Sequence, residues 1–222
     1  LRFKEPLIGN SFSSLTPALF IGDVQGDKRQ EIIVVEETLL SVYSLHGNKI
    51  GECKSITPKS HPGFLYDYDG DGKDDLFMGS TSRDDLCITI INGCGNVIKH
   101  HTIGNETHSY ATAIPQFILG NTLYVLTQQV WPDSPRGILS FSLPDFSRNW
   151  FFAIPPTPQK LTCQYDATGE AIFTISHSTT SNDRYHDLGI EGKHLDPGDH
   201  SIRLFQTDSN GSLLSYKEVR FA

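Results

Sequence analysis

Apolar residues in this chain come in short runs, many rich in β-branched and aromatic side chains, separated by polar stretches containing Gly, Pro, Asn-Gly or Asp-Gly. Few windows could carry a 3.6-residue stripe over roughly ten positions, so the pattern does not predict helices. The runs ALFIGDV (18–24), EIIVVEE (31–37), LLSVYSL (39–45), DLFMGS (75–80) and CITIING (87–93) read as strands. So do TLYVLTQ (122–128), GILSFSL (137–143), AIFTISH (171–177), IRLFQTD (202–208) and LLSYKEV (213–219). Apolar runs of this length bounded by turn residues are the sequence form of β-structure.

The runs also recur in a fixed order. An apolar run ends in an acidic loop; another run, a polar gap, a strand, a turn with Gly or Pro and a last strand follow. Residues 20–52 show the order with His46-Gly47-Asn48 at the last turn, and residues 64–100 repeat it with Gly93-Cys94-Gly95-Asn96. Asp23 and Asp67 occupy matching places, a period of 67 − 23 = 44 residues. A third unit (116–152) has Asn121 in its loop and Pro144-Asp145 at its turn. A fourth, from about Lys160 to Val219, turns at Thr207–Gly211 and carries an insertion around 178–200.

A four-strand unit with a period in the forties is expected of a propeller blade, whose faces are buried only by stacking on neighbours. A β-sandwich also spaces strands regularly, but it does not call for the repeated order of loop and turn chemistry. The expectation is an all-β chain, a β-propeller of about four four-stranded blades in one domain or segment. Its units are approximately 17–60, 61–110, 111–158 and 159–222, either a complete small ring or part of a larger one.

Composition narrows the function. Among 222 residues, Lys+Arg number 18 against 26 Asp+Glu, a formal net charge of −8. That balance argues against a nucleic-acid partner, because phosphate binding needs a basic face. No apolar run approaches the roughly 18 residues of a membrane span. The start, Leu1-Arg2-Phe3-Lys4-Glu5-Pro6, has neither an initiator Met nor a signal peptide's apolar stretch, so a processed form or an excised domain is expected. Cys53, Cys87, Cys94 and Cys163 form no C-x-x-C and are read as free thiols; they leave the compartment open.

The strongest chemical signal is LYDYDGDGKDDLFMGS (65–80), where Asp67, Asp69, Asp71, Asp74 and Asp75 crowd together. Asp67, Asp69 and Asp71 take positions 1, 3 and 5 of a D-x-D-x-D-G-x-x-D loop, with Gly72 at 6 and Asp75 at 9. Ca²⁺ takes six to eight oxygens at about 2.3–2.6 Å. Alternate carboxylates turned inward, a Gly at the bend and the Lys73 carbonyl at position 7 would supply such a cage. An EF-hand would continue into a helix, whereas DLFMGS reads as a strand; the loop is therefore a calcium loop between strands. Without a cation the crowded charge raises some of these pKa values and weakens the folded state. An uncoordinated Asp-Gly turn is the simpler alternative.

These residues resemble the FG-GAP/VCBS repeat, the blade unit of integrin α-type propellers and of many bacterial extracellular proteins. The resemblance implies Ca²⁺ in the loop joining a blade's first two strands, with Asp67, Asp69, Asp71, Lys73 and Asp75 at the ligand positions. Gly79 matches the Gly of the family's Gly-Ala-Pro element, but Ser80 stands where that element has Ala, and no Phe-Gly pair opens the blade. The likeness is strongest over 64–80, moderate over 20–50, and beyond Ile114 rests on strand order. In the first unit Asp23, Gln25, Asp27 and Glu31 fall at positions 1, 3, 5 and 9, with Gly at 4 and Lys28 at 6. A weak second metal site and a metal-free, salt-bridged loop remain equal alternatives there. Asp166 and Glu170 of the last unit are assigned no metal.

Other candidates carry less. His100, His101, His108, His186, His194 and His200 lack zinc spacing. No G-x-S-x-G, P-loop or H-E-x-x-H motif occurs. Trp131 and Trp150, beside Arg136 and Arg148, would suit a sugar or peptide surface, but inter-blade packing is the expectation because Trp is highly buried on average. The polar insertion 177–200 reads as a recognition loop. Asn105-Glu106-Thr107 and Asn210-Gly211-Ser212 are glycosylation sequons only in a eukaryotic secreted protein.

The function expected is therefore a non-catalytic, calcium-binding recognition module for a protein or carbohydrate ligand, in an extracellular, periplasmic or cell-surface setting. By resemblance such blades serve adhesion or the sensor regions of bacterial surface receptors. The alternative is a polysaccharide-acting lyase or hydrolase, whose paired carboxylates need no local motif.

Overall fold

The computed structural model describes residues 18–36, 39–54, 60–82, 86–103, 111–129, 137–153, 158–177 and 201–220. Every regular element among them is a strand. The first meander is β1 (Ala18–Gly22), β2 (Glu31–Glu36), β3 (Leu39–Ser44) and β4 (Lys49–Lys54). The second is β5 (Ser60–Tyr66), β6 (Asp75–Ser82), β7 (Cys87–Ile91) and β8 (Val97–Thr102). Next come β9 (Ala111–Leu119), β10 (Thr122–Gln129), β11 (Gly137–Ser142) and β12 (Ser147–Ala153). The last are β13 (Pro158–Tyr165), β14 (Ala171–His177), β15 (Ser201–Thr207) and β16 (Leu213–Arg220). Two compact units result, one holding β1–β8 and nearly all of β9, the other β10–β16.

In the first unit β1 to β4 pair antiparallel in chain order, as do β5 to β8. The alternation of β1 and β2, buried at every second residue, marks strands with one face in the core. Strands β6 and β7 are buried on both faces for most of their length, which explains why Leu76, Phe77 and Met78, and Ile90 and Ile91, follow one another without polar alternation. Phe20, Ile33, Val35, Leu40 and Val42 of the first meander pack with Leu65, Leu76, Met78 and Ile91 of the second into one core. Stacking one meander on the next thus buries faces that neither could bury alone.

The turns show why the sequence punctuates where it does. The segments 44–48, 92–96, 166–170 and 208–212 close the same way: the fourth residue donates its N–H to the first residue's carbonyl, and the first donates to the fifth. The fourth residue is Gly47, Gly95, Gly169 or Gly211, with φ between 80° and 84°, the left-handed region that L side chains avoid. A type I turn followed by such a glycine bulge matches the strand twist. The sequence-predicted turns at 46–48, 93–96 and 207–211 fall on these segments.

In the second unit β10–β12 and β13–β16 are antiparallel runs in chain order. Trp150 is half-buried, its ring 5.8 Å from Tyr124, and its indole N–H donates to the Ser209 carbonyl at 3.0 Å. A Cβ at Gly211 would fall 2.7 Å from the same indole. Trp150 therefore packs β12 onto the β15–β16 turn, as the packing expectation held, while Trp131 and Arg136 lie outside the described residues. Trp150→Ala should lower unfolding stability by about 3 kcal/mol, measured by urea denaturation; a loss under about 1 kcal/mol would contradict the packing role. The insertion 178–200 and Asn105–Thr107 also lie outside the described residues.

Candidate metal loop and adjoining cavity

The loop between β5 and β6 forms as the sequence requires. Asp67 stands at its mouth, where its two carboxylate oxygens accept the N–H of Gly70 at 2.9 Å and of Gly72 at 3.1 Å. Gly70 and Gly72 have φ of 77° and 86°, the left-handed steps that curl the chain around Asp67. Asp69 accepts the Asp71 N–H and Asp71 accepts the Lys73 N–H. Beneath, Phe77 stacks on Phe64 at 4.8 Å and meets Tyr68 edge-on at 5.9 Å, so an aromatic floor supports the polar loop.

The structure brings Asp67, Asp69 and Asp71 together: one carboxylate oxygen of each lies within 4.8 Å of the others. Ligands about 2.3–2.6 Å from a shared ion lie no more than about 5 Å apart, so the triad fits a calcium-sized cation. Asp75 stands apart from this group. It is buried, 2% exposed, and accepts the Tyr68 N–H at 3.1 Å. Burial pushes its pKa up to about 7, the Tyr68 N–H opposes that rise, and the charges of Asp69, Asp71 and Asp67 add to it. Lys73 donates from Nζ to Asp71 at 2.8 Å, which holds the Asp71 carboxyl below its usual range. That ammonium occupies an oxygen a cation would use.

The β1–β2 loop is a displaced copy. Asp23 accepts the N–H of Gly26 at 2.6 Å and of Lys28 at 2.7 Å, the same offsets as Asp67 with Gly70 and Gly72. Glu31 accepts the Val24 N–H as Asp75 accepts that of Tyr68. Lys28 takes φ 67° where the second loop has Gly72. Asp27 caps the Arg29 N–H and lies 4.0 Å from the Arg29 guanidinium. Among the described residues Asp23, Asp27 and Glu31 do not gather as the second loop's triad does. The backbone and its carboxylate hydrogen bonds are kept, but Gln25 stands where the second loop has Asp69, so the triad's middle carboxylate is missing. Asp166 of the last unit accepts N–H groups of Thr168 and Glu170 within its own hairpin turn.

Sequence reasoning assigned Asp74 no role, and it joins the two loops. Its Oδ2 accepts the Asp23 N–H at 2.7 Å, and its own N–H donates to the Asp23 carbonyl at 2.7 Å. Gly22 leaves the room: a Cβ there would fall 2.7 Å from Asp74 Oδ2 and 2.5 Å from Leu65. No local signal marks this residue, since its partner lies 51 positions away. Asp74→Ala orphans a part-buried N–H and should cost about 1–3 kcal/mol. Thermal unfolding checks this, and an unchanged midpoint would remove the bridge from the account.

A cavity of about 480 Å³ opens beside the loop, within the first unit. Val24, Val42, Ile50 and Ile98 line it together with the charged Glu52, Asp69, Asp71, Lys73 and Asp75.

No family model matches the sequence, and no curated protein matches it. Solved structures do. The chain is similar to BBS1N in a crystal structure with ARL6DN soaked with mercury, with TM-score 0.61 and 14% identity over 100% of this chain. A lead-soaked crystal of the same complex gives TM-score 0.55 and 15% identity, again over the whole chain. This chain spans 61% and 59% of the BBS1N chains it matches. BBS1N is a β-propeller, and the fold here is of that class.

Proposed function

We propose that the chain is a non-catalytic recognition module, four four-stranded β-propeller blades of the FG-GAP/VCBS kind with Ca²⁺ in the 67–75 loop. The observation that carries the reading is the Asp67, Asp69 and Asp71 triad, gathered within 4.8 Å on a glycine-curled loop between a meander's first two strands. Lys73, by its carbonyl, and Asp75 would complete the cage; the ion would neutralise the crowded carboxylates and fasten β5 to β6. Such loops fill at the millimolar calcium found outside cells, which favours an extracellular, periplasmic or cell-surface setting. The ligand would be a protein or a carbohydrate, in adhesion or in the sensor region of a surface receptor. Nucleic acid is disfavoured by the net charge of −8, and no helix among the described residues is long and apolar enough to cross a membrane.

The test is thermal unfolding in excess Ca²⁺ and in chelator, on the wild type and on a variant carrying Asp67→Ala and Asp71→Ala. Calcium at about 100 times its Kd adds about 2.7 kcal/mol, which for a chain of this size raises Tm by about 5–10 °C. The double variant should not respond. If the wild type is also indifferent and retains no metal on elemental analysis, the acidic loop is only a turn.

A further inference from the structure

Two of the cysteines meet where the first meander packs on the second. Cys53 lies on β4 opposite Leu40, half-buried against the first unit's core. Its thiol is directed at the 92–96 turn, where Sγ lies 3.7 Å from the Gly95 carbonyl that accepts its S–H. The approach is close because Gly95 has no side chain. A Cβ there would fall 2.1 Å from Cys53 Sγ and 2.3 Å from Cys53 Cβ. Cys94, the residue before Gly95 on the same turn, is a free and exposed thiol. On its other side Gly93 abuts Val24, so the turn is seated between the β1–β2 loop and β4.

Distance allows the two sulfurs to join. The Cβ built on Gly95 lies 3.8 Å from Cys53 Cα. Adding one C–C bond and one Cα-to-Cα step of about 3.8 Å places Cys94 Cα within about 9 Å of Cys53 Cα. Disulfides span about 4.4–6.8 Å between Cα atoms, so the tip of the turn has to move by about 2 Å at most. The other cysteines stand elsewhere. Cys87 is buried at the end of β7 away from the turn, and Cys163 lies on β13 in the second unit.

We propose that Cys53 and Cys94 are a redox-sensitive pair that closes by exchange with a small disulfide such as oxidised glutathione, stapling β4 of the first meander to the β7–β8 turn of the second. Exposure gives Cys94 the first step: its thiolate attacks one glutathione sulfur, the Cys94–glutathione bond forms, and one glutathione leaves as thiolate. Cys53, deprotonated by water, then attacks the Cys94 sulfur and expels the second glutathione. Two protein thiols are oxidised, one glutathione disulfide is reduced to two thiols, and the two cysteine protons pass through water to the departing sulfurs. The bond closes a ring of 94 − 53 + 1 = 42 residues, which restricts the unfolded chain. An oxidising compartment keeps the staple closed and a reducing one opens it. This inference is independent of the calcium reading.

The reduced full chain is equilibrated in glutathione buffers of graded oxidised-to-reduced ratio, acid-quenched, alkylated and analysed by intact mass and peptide mapping. Cys53→Ser and Cys94→Ser are treated alike, and thermal unfolding of each oxidised protein is compared with its reduced form. The expected wild-type product has lost two hydrogens, yields one peptide pair joining Cys53 to Cys94, and unfolds at least about 5 °C above the reduced protein. Cys53→Ser should stop at glutathione on Cys94, and Cys94→Ser should form no internal cross-link; neither midpoint should rise. A wild type that retains glutathione on Cys94, or that links two chains through Cys94, overturns the pairing. So does a cross-link through Cys87 or Cys163, or four free thiols in the most oxidising buffer. A Cys53–Cys94 cross-link that leaves the midpoint unchanged overturns the staple.

Discussion

Metal-stripped protein should lose about 2–3 kcal/mol of stability as pH rises from about 4 to about 8, and Asp75→Asn should abolish most of that loss. Asp75 sits at about 7 in the folded chain against an ordinary 3.8, chiefly because it is buried. The folded state therefore binds more protons than the unfolded state between those values, and stability falls as pH rises through the window. The full shift corresponds to about 4 kcal/mol; solvent screening of the exposed Asp69 and Asp71 charges reduces it. Glu31, also raised by burial, acts in the same direction. His61 acts oppositely: burial lowers its pKa below 6.5, so acid favours the unfolded chain. Comparing wild type with Asp75→Asn removes both contributions. Asparagine still accepts the Tyr68 N–H and carries no charge to desolvate, so the variant should be the more stable protein at pH 8 without metal. Urea denaturation across the pH series measures this. Parallel curves for the two proteins would show that Asp75 ionises as readily folded as unfolded.

Gly79→Val should unfold the first unit or destabilise it by more than about 4 kcal/mol, among the largest effects of a single substitution. The reason is backbone against backbone. A Cβ at Gly79 would overlap the Ala113 carbonyl of β9 and approach Pro115 to 3.0 Å. No rotamer relieves such an overlap; β9 would have to leave the edge of β6. Gly51→Ala is the control, because nothing lies within 4 Å of a Cβ there and its φ is not left-handed. Unfolding of both variants by circular dichroism distinguishes a required glycine from a permitted one. Equal stability would mean that β9 docks elsewhere.

The strands, their order and their turns were legible in the sequence because each rests on local chemistry. AIFTISH coincides with β14, and DLFMGS and CITIING begin at the first residues of β6 and β7. Apolar runs and left-handed glycines act within a few residues, so a linear reading reaches them. The Asp67, Asp69 and Asp71 triad was legible for the same reason: alternate residues of one tight loop converge whatever surrounds them. What the sequence left open depends on distance along the chain. Position 9 of the motif marked Asp75 as a ligand, and burial against Tyr68 set its carboxyl apart from the triad. The copied loop at 23–31 offered four candidate ligands, and only the fold showed Glu31 accepting the Val24 N–H and Asp23 bridged to Asp74. Trp150 could have faced solvent; its partners, Tyr124 and Ser209, come from other strands and turns. Local periodicity and turn chemistry determined the strands and the acidic loop. What Asp74 bridges, which glycine is indispensable and where a cavity opens were decided by strands packing on one another, since those contacts join residues the chain order keeps apart.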